Sequence, residues 1–467
     1  MSTQLTAWSS AAEIAAAVQS GHTSALAVTD AALARIARLD SQLGAFTQVC
    51  PERARSHARA VDAQRAAGID PGVLAGVPFA VKNLFDIAGL ATLAGSRINA
   101  AHSPAIADAQ LVRRMEAAGA VLLGALNMGE YAYDFTGENS HYGPSRNPHD
   151  RAHMSGGSSG GSGTATAAGL CPITLGSDTN GSIRVPSSLC GVFGLKPTYG
   201  RLSRSGTFPF VDSLDHLGPM ARNVTDLTLA YDALQGADAD DPVCTRRPVE
   251  RCFDSLRLGA HGLRIGVLGG YFHQLATPMA QAALMRVAAA LGAHQQVVWP
   301  AVERARAAAY LITAAEGGAL HRERLRTQAA EFDPAVRDRL LAGNFIPAAW
   351  LIQAHKLRRW FHAQVLASFQ HVDVLLAPAT PIAAPLIGQT TMVLNGQTLP
   401  VRPNLGLFTQ PISFIGLPVV AVPSGAAGEL PIGVQIIAAP WREDHALRVA
   451  ATLSALGFAA PRPAGLD

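Results

Sequence analysis

Cysteine is scarce in this chain of 467 residues. Its five cysteines include no C-x-x-C pair, and their odd number disfavours a disulfide framework; they are Cys50, Cys171, Cys190, Cys244 and Cys252. Thiols of this kind are typical of reduced cytosolic proteins, so the sequence predicts a cytoplasmic location. The cysteine pattern also predicts no metal site. We expect neither a metal nor another cofactor.

Net charge and long apolar runs are also limited. The formal net charge is only +3, aromatic residues make up 6% of the chain, and no basic cluster is interleaved with them, which argues against nucleic-acid binding. The longest uncharged stretches, such as residues 403–428, are interrupted by glycine, serine and proline, so no transmembrane helix is predicted. No lysine or arginine precedes Glu13, as a secretory signal would require. The sequence therefore predicts a soluble protein.

A stretch rich in glycine and serine covers residues 155–190, SGGSSGGSGTATAAGLCPITLGSDTNGSIRVPSSLC. Glycines around Ser158 and Ser182 allow a substrate carbonyl to approach, and consecutive backbone N–H groups in such a turn can hold an anion. A flexible linker would not continue into AAGLCPITLG, and no G-x-x-x-x-G-K-[ST] or G-x-G-x-x-G pattern indicates a phosphate loop. The stretch therefore predicts a catalytic site built around serine.

A serine nucleophile needs a base, and no histidine lies in a recognisable triad motif. Lys82 is a better candidate because it lies in the apolar, strand-like run GVPFAVKNLFDIAGL. Burial lowers the pKa of a lysine and makes its neutral amine available as a base. The alternative from the residues alone is a surface lysine on an edge strand.

The segments AVKNLFD at Lys82, GGSSGGS at Ser158 and GSDTNGSIRVPSSLCGVFGLKPT at Ser182 together resemble the amidase-signature family, whose members hydrolyse amides through a Ser–cis-Ser–Lys triad. The 24-residue spacing of the two serines fits that pattern. The resemblance extends from about residue 12 to PIGVQIIAAPWRED near the C-terminus. It implies that Ser182 is the nucleophile, Ser158 the bridging serine and Lys82 the base.

The same resemblance implies further roles around the turn before Ser182. The backbone N–H groups of Thr179, Asn180, Gly181 and Ser182 would form the oxyanion hole. The cis backbone of the bridging serine is assigned to the bond between Ser158 and Ser159. For the flanking Asp178 and Arg184, structural pairing is expected instead of chemistry.

At position 180 this sequence departs from the family, because most members carry a second glycine where it has asparagine. Asparagine tolerates positive φ and adds one amide donor and one acceptor, which favours a small polar substrate over a long acyl chain. Segments such as VKNLFDIAGLATLAGS, HYGPSRNPHD and FTQPISF resemble a narrower branch of the family, the 1-carboxybiuret hydrolases of cyanuric acid breakdown. Other short ureido or oxamate-like acids are alternative substrates.

Two other functions stand beside an amidohydrolase for small ureido acids. An amidase-type subunit of a tRNA-dependent amidotransferase, which releases ammonia from glutamine, would carry the same triad. A catalytically inactive scaffold is the other alternative, and the presence of Lys82, Ser158 and Ser182 argues against it.

An acid substrate also needs a cation, and arginine offers a planar bidentate fork for a carboxylate. The segment EGGALHRERLR supplies three candidates, of which Arg326 is the predicted substrate ligand. Helix-surface arginines are usually solvated, which is the alternative for all three.

Alternating helix and strand patterns predict an α/β fold, with helices on both faces of a sheet. Ser10 and Glu13 predict a capping box that opens a helix ending near Gly21. Another helix is predicted at 109–118, closed by Gly119, and one after Gly161. Strands are predicted at 121–126, 264–268, 372–376, 419–422 and 432–437.

The family resemblance specifies this fold as the amidase-signature fold, with a central mixed β-sheet. It also implies one domain over residues 1–467, in which the polar segment 236–261 is a surface excursion. Relatives that bind a small helical accessory protein imply a partner of that kind. We expect a homodimer or a heterotetramer with two copies of that partner.

Overall fold

The computed structural model describes residues 5–425 and 428–466. Its centre is a mixed sheet of eleven strands, and two short hairpins, β4–β5 and β12–β13, lie outside it. The strands are β1 (Phe46–Val49), β2 (Pro78–Lys82), β3 (Val121–Leu126), β4 (Arg146–Asn147), β5 (Asp150–Met154), β6 (Ile173–Asp178), β7 (Phe193–Lys196), β8 (His216–Ala221), β9 (Ile265–Leu268), β10 (Gln295–Val297), β11 (Val374–Pro378), β12 (Thr391–Leu394), β13 (Gln397–Pro400), β14 (Val419–Pro423) and β15 (Gly433–Ala438).

Helices account for most of the remaining regular structure. They are α1 (Ala11–Gln19), α2 (Ala25–Leu43), α3 (Pro51–Ala66), α4 (Gln110–Ala117), α5 (Gly160–Ala167), α6 (Arg184–Cys190), α7 (Val224–Leu234), α8 (Cys252–Ser255), α9 (Tyr271–Gln274), α10 (Pro278–Ala290), α11 (Val302–Leu320), α12 (Arg322–Thr327), α13 (Pro334–Gly343), α14 (Ala348–Ser368), α15 (Val401–Asn404), α16 (Gln410–Ser413) and α17 (Glu443–Ala455).

The central sheet has the strand order β1-β3-β2-β6-β8-β7-β14-β15-β11-β9-β10. Every residue of β2, β3, β6 and β15 is buried, as expected for strands covered on both faces. Parallel pairs such as β2–β6 occur beside antiparallel pairs such as β6–β8. The predicted mixed sheet with helices on both faces is thus confirmed.

Local signals located several elements well. The Ser10–Glu13 capping box is present at the start of α1, and β3 has the predicted bounds. The chain turns after α4 at Gly119, where φ is +90°. A Cβ at that position would lie 2.2 Å from the carbonyl oxygen of Pro71, so the turn requires glycine.

The segment 236–261 is mostly irregular, as predicted, but it also contains the short helix α8. Part of it is fixed to the body of the protein, because the Asp241 carboxylate accepts hydrogen bonds from the backbone N–H and guanidinium of Arg204. Among the residues that the structure describes, no helix combines the length and apolar character needed to cross a membrane.

The sheet brings the two main motifs together. β2 pairs in parallel with β6, and Val81 lies opposite Leu175. Because parallel strands end at the same edge of a sheet, Lys82 at the end of β2 comes close to Ser177 near the end of β6. The loops that follow, before α5 and α6, lie at this edge.

Candidate active site

Lys82 is completely buried at the end of β2. Its Nζ donates hydrogen bonds to Oγ of Ser158 at 2.7 Å and to Oγ of Ser177 at 2.8 Å. Burial lowers the pKa of Lys82 to about 7, against the opposing attraction of Asp215, Asp178 and Asp134. A large fraction of this side chain is therefore a neutral amine near neutral pH.

Ser158 lies in the glycine-rich loop before α5 and is also fully buried. The structure corrects one expectation here, because the cis peptide bond joins Gly157 to Ser158 and not Ser158 to Ser159. A Cβ at residue 157 would lie 2.5 Å from Oδ2 of Asp134, so only glycine fits before the bridging serine. The carbonyl oxygen of Ser158 accepts a hydrogen bond from the N–H of Gly129 at 3.1 Å.

Ser182 lies on the second loop, between β6 and α6. The two loops are joined through their backbones, since the N–H of Ser159 donates to the carbonyl of Ser182 at 3.4 Å. The structure thus brings Lys82 into contact with Ser158 and places the Ser182 loop against the Ser158 loop. The Ser182 side chain borders a cavity.

The turn of Thr179, Asn180, Gly181 and Ser182 has a tightly held backbone. Thr409 Oγ1 donates to the Asn180 carbonyl at 2.7 Å, and a Cβ at Gly181, where φ is +140°, would lie 2.1 Å from that hydroxyl. Among the described residues, no acceptor lies within hydrogen-bond distance of the four main-chain N–H groups of this turn. They are available to a negatively charged oxygen.

A buried ion pair supports the base of this turn. The guanidinium of Arg184 donates from Nε and Nη2 to the two carboxylate oxygens of Asp178, at 2.9 and 3.0 Å. Burial alone would raise the pKa of Asp178, but Arg184 holds it well below its ordinary value. Oδ2 of Asp178 also accepts from the N–H of Ile183 at 3.2 Å. The predicted structural pairing of these residues is confirmed.

The cavity beside Ser182 is polar and small, about 20 Å³. Arg339 of α13 borders it, and its guanidinium lies 3.8 Å from the ring centroid of Tyr133. Burial raises the pKa of Tyr133, and its hydroxyl has no partner in the described part of the chain. Asn180 and Thr313 also line the cavity.

A second cavity of about 150 Å³ adjoins the first, because Ala132, Thr179 and Phe210 line both. Ser177, which holds Lys82, borders this second cavity. So does Asp215, whose carboxylate accepts from Oγ1 of Thr179 at 2.6 Å. Burial raises the pKa of Asp215.

Arg326 lies elsewhere. Its side chain is 72% exposed on α12, pairs with Glu323 in the same helix at 3.1 Å, and lines neither cavity. Among the described residues, no group of three His, Cys, Asp or Glu side chains is arranged to hold a metal ion.

Two residues at the site were missed from the sequence. Ser177 precedes Asp178 in the quoted motif but has no special spacing, and nothing in PAVRDRLLAG distinguishes Arg339 from Arg337. Only the tertiary contacts with Lys82 and Tyr133 separate these side chains from ordinary polar residues.

Comparisons with known proteins agree over nearly the whole length. The amidase family model matches residues 27–447. AtzE, the 1-carboxybiuret hydrolase subunit of Pseudomonas sp. (strain ADP), is 55% identical over 449 residues, which cover 96% of this chain and 98% of that protein. The amidase-type subunit of the glutamyl-tRNA(Gln) amidotransferase of Roseiflexus sp. (strain RS-1) is 38% identical over 461 residues, 93% of each chain.

A solved structure with 54% sequence identity superposes with a TM-score of 0.95, covering 97% of this chain and 99% of the other. It is described as an unexpected vestigial protein complex that reveals the evolutionary origins of an s-triazine catabolic enzyme.

Proposed function

This chain belongs to the amidase-signature family and is an amide-hydrolysing enzyme, and from that premise we propose that it hydrolyses a small ureido acid of the 1-carboxybiuret kind. The observation that carries the proposal is the 55% identity to AtzE, over 96% of the chain. The small polar cavities beside Ser182 support a short substrate over a long acyl chain.

We assign catalysis to Ser182, Ser158 and Lys82. Neutral Lys82 takes the proton of Ser158 while Ser158 takes that of Ser182, and Oγ of Ser182 forms a bond to the carbonyl carbon of the substrate. The carbonyl electron pair moves onto its oxygen, which is stabilised by the N–H groups of residues 179–182. The 2.7 Å contact between Lys82 and Ser158, and the lowered pKa of Lys82, support this relay.

Collapse of the tetrahedral intermediate then breaks the C–N bond. The proton held by Lys82 passes through Ser158 to the leaving nitrogen, so ammonia departs and an ester to Ser182 remains. Water attacks that ester and gives a proton to Lys82 by the same relay. The C–O bond to Ser182 breaks, its oxygen regains a proton, and the carboxylic acid product is released.

We propose Arg339 as the ligand of the substrate carboxylate, in place of Arg326. It is a guanidinium that borders the same cavity as Ser182, whereas Arg326 faces solvent. Charge-assisted bonds from arginine to a carboxylate are among the stronger polar contacts in proteins. An acid group held there would orient a short substrate over the nucleophile.

Ammonia release tests the assignment. The purified enzyme is given 1-carboxybiuret, glutamine and a panel of short ureido and oxamate-like acids, and kcat/KM is compared. We expect the highest value for 1-carboxybiuret. A higher value for glutamine would favour the alternative function within a tRNA-dependent amidotransferase, which the 38% identity to the Roseiflexus protein keeps in view. A higher value for another short acid would reassign the substrate.

We also propose that the protein works as a homodimer or with a small helical accessory subunit. The similar structure described as a protein complex supports this, as do aromatic side chains left exposed around the start of α14. Phe345 is 83% exposed, and Trp350 and Trp360 are 58% and 44% exposed. Sedimentation of the chain alone and after co-expression with its genomic neighbours tests the proposal. A fully active monomer without any partner would refute it.

A cytoplasmic location remains part of the proposal. All five cysteines are free in the structure, which suits a reducing compartment. Titration of the denatured protein, purified without reductant, should find five thiols. Fewer than four would indicate disulfides and argue against this location.

A further inference from the structure

The two ends of the Asn180 side-chain amide have different surroundings. Its Nδ2 donates a hydrogen bond to Oγ1 of Thr313 on α11 at 2.8 Å. Its Oδ1 is buried and has no hydrogen-bond donor in the part of the chain that the structure describes. The residue as a whole is only 6% exposed. One acceptor at this position therefore lacks a protein partner.

This unpaired acceptor is costly and fixed in place. A buried carbonyl oxygen without a donor weakens a fold substantially, so its retention calls for an explanation. Thr313 holds the amide, and Thr409 holds the carbonyl of the same residue at 2.7 Å. Asn180 is thus anchored through both its side chain and its backbone.

The neighbours that line the cavity do not supply the missing donor. Arg339 donates from Nε to the carbonyl of Ala335 at 2.9 Å and from Nη2 to the carbonyl of Tyr133. Gln410 accepts from Arg306 at 2.8 Å through its own side-chain oxygen. Asn180, Thr313 and Ser182 all border this cavity, so a substrate that reaches Ser182 comes next to Asn180.

We propose that Oδ1 of Asn180 accepts a hydrogen bond from an N–H of the substrate next to the scissile carbonyl, and so selects ureides over plain amides. This inference rests on the proposed function and specifies its substrate class. In a ureide the atom beside the scissile carbonyl is an N–H, whereas in a plain amide of a dicarboxylic acid it is a CH₂. Only the first can donate to Asn180. Thr313 is a positioning residue that keeps Oδ1 turned away from itself.

A matched pair of acids isolates this one contact. N-carbamoylglycine and succinamic acid have the same length, carboxylate and terminal amide, and differ only in N–H against CH₂. Their binding to the Ser182→Ala protein is measured by calorimetry, without turnover. We expect N-carbamoylglycine to bind about tenfold more tightly, as for one buried hydrogen bond whose loss leaves an unpaired acceptor.

Variants at the two residues give the decisive comparison. In Asn180→Gly, which restores the residue that most family members carry, the ratio of the two dissociation constants should fall close to one. Asn180→Asp keeps an acceptor, so both acids should weaken through charge repulsion while the ratio is retained. Thr313→Val should lower the ratio, because Asn180 loses its anchor. Arg337→Gln, on the exposed side of α13, is the control and should keep the ratio.

An unchanged ratio in Asn180→Gly would overturn the inference, as would equal binding of the two acids, or no binding of either, to the Ser182→Ala protein with Asn180 intact. Loss of the ratio in Asn180→Asp would show a donor role and also overturn it. Failure of the proposed function is read separately, from the wild-type rate on 1-carboxybiuret. An inactive wild type with a ratio that depends on Asn180 would refute the substrate and leave the selectivity standing.

Discussion

Nζ of Lys82 lies 2.8 Å from Oγ of Ser177, a hydroxyl on the neighbouring parallel strand. A second hydroxyl, that of Ser158, lies at 2.7 Å. The lysine is therefore held between the sheet and the glycine loop, and its amine cannot leave the bridging serine without losing a buried contact. This arrangement allows one buried amine to act as a proton acceptor of fixed position.

Replacing the nucleophile should remove catalysis and leave the fold intact. We expect Ser182→Ala to lower kcat about a thousandfold or more, because no other group can form the acyl intermediate. Ammonia release measures the loss, and the melting temperature shows that folding is retained. Activity within tenfold of the wild type would refute the assignment of Ser182.

The relay predicts strong non-additivity. Lys82→Met and Ser158→Ala should each be nearly as damaging as Ser182→Ala, since each interrupts one path of proton transfer. The double variant should lose little more than the worse single variant. If the logarithms of the two losses instead add up, Lys82 and Ser158 act independently and the relay is wrong.

The motif and the alternating patterns carried much information about the fold because they are local. The fully apolar run of β3 and the glycine after α4 determine those elements within a few residues. Boundaries were less exact where a strand continues into proline: the predicted strand 372–376 is observed as Val374–Pro378. The single domain over residues 1–467 remains a prediction, which a single cooperative unfolding transition would support.

The parts of the site that sequence reasoning missed depend on distant contacts. Arg339 donates to the backbone of Tyr133 across 206 residues, and Arg204 reaches Asp241 across 37. A single sequence gives no periodicity or spacing for such pairs. Charge and helix pattern indicate Arg326 as readily as Arg339, because they cannot tell which arginine faces the nucleophile.

The rate should depend on the protonation of Lys82. Because its pKa is lowered to about 7 and the reaction needs the neutral amine, kcat/KM should rise with pH and level off above about pH 7. The Asp215 carboxylate favours the charged amine, so Asp215→Asn should move this rise to lower pH. A pH–rate profile without a rise between about pH 6 and 8 would contradict a lysine base.

The same lowered pKa predicts a stability cost that increases as pH falls. Between about pH 7 and 10.5 the unfolded chain holds a proton on Lys82 that the folded chain lacks, so stability rises with pH across this window. Lys82→Met should therefore stabilise the protein by about 2 kcal/mol or more near pH 7, and the gain should shrink towards pH 10. Lys356→Met, at an exposed lysine, is the control for urea unfolding at both pH values. A less stable Lys82→Met protein would contradict the prediction.

Arg339 is the cation expected to hold the substrate acid. Arg339→Gln should raise KM for N-carbamoylglycine about 10- to 100-fold, the loss of one charge-assisted contact, and leave KM for its neutral amide nearly unchanged. Steady-state kinetics on this acid and amide pair measure the difference. Arg337→Gln on the same helix should change neither value, because that side chain pairs with Asp338 at the surface. Equal effects of Arg339→Gln on the acid and the amide would indicate a packing role against Tyr133, and a selective effect of Arg326→Gln would return the carboxylate to α12.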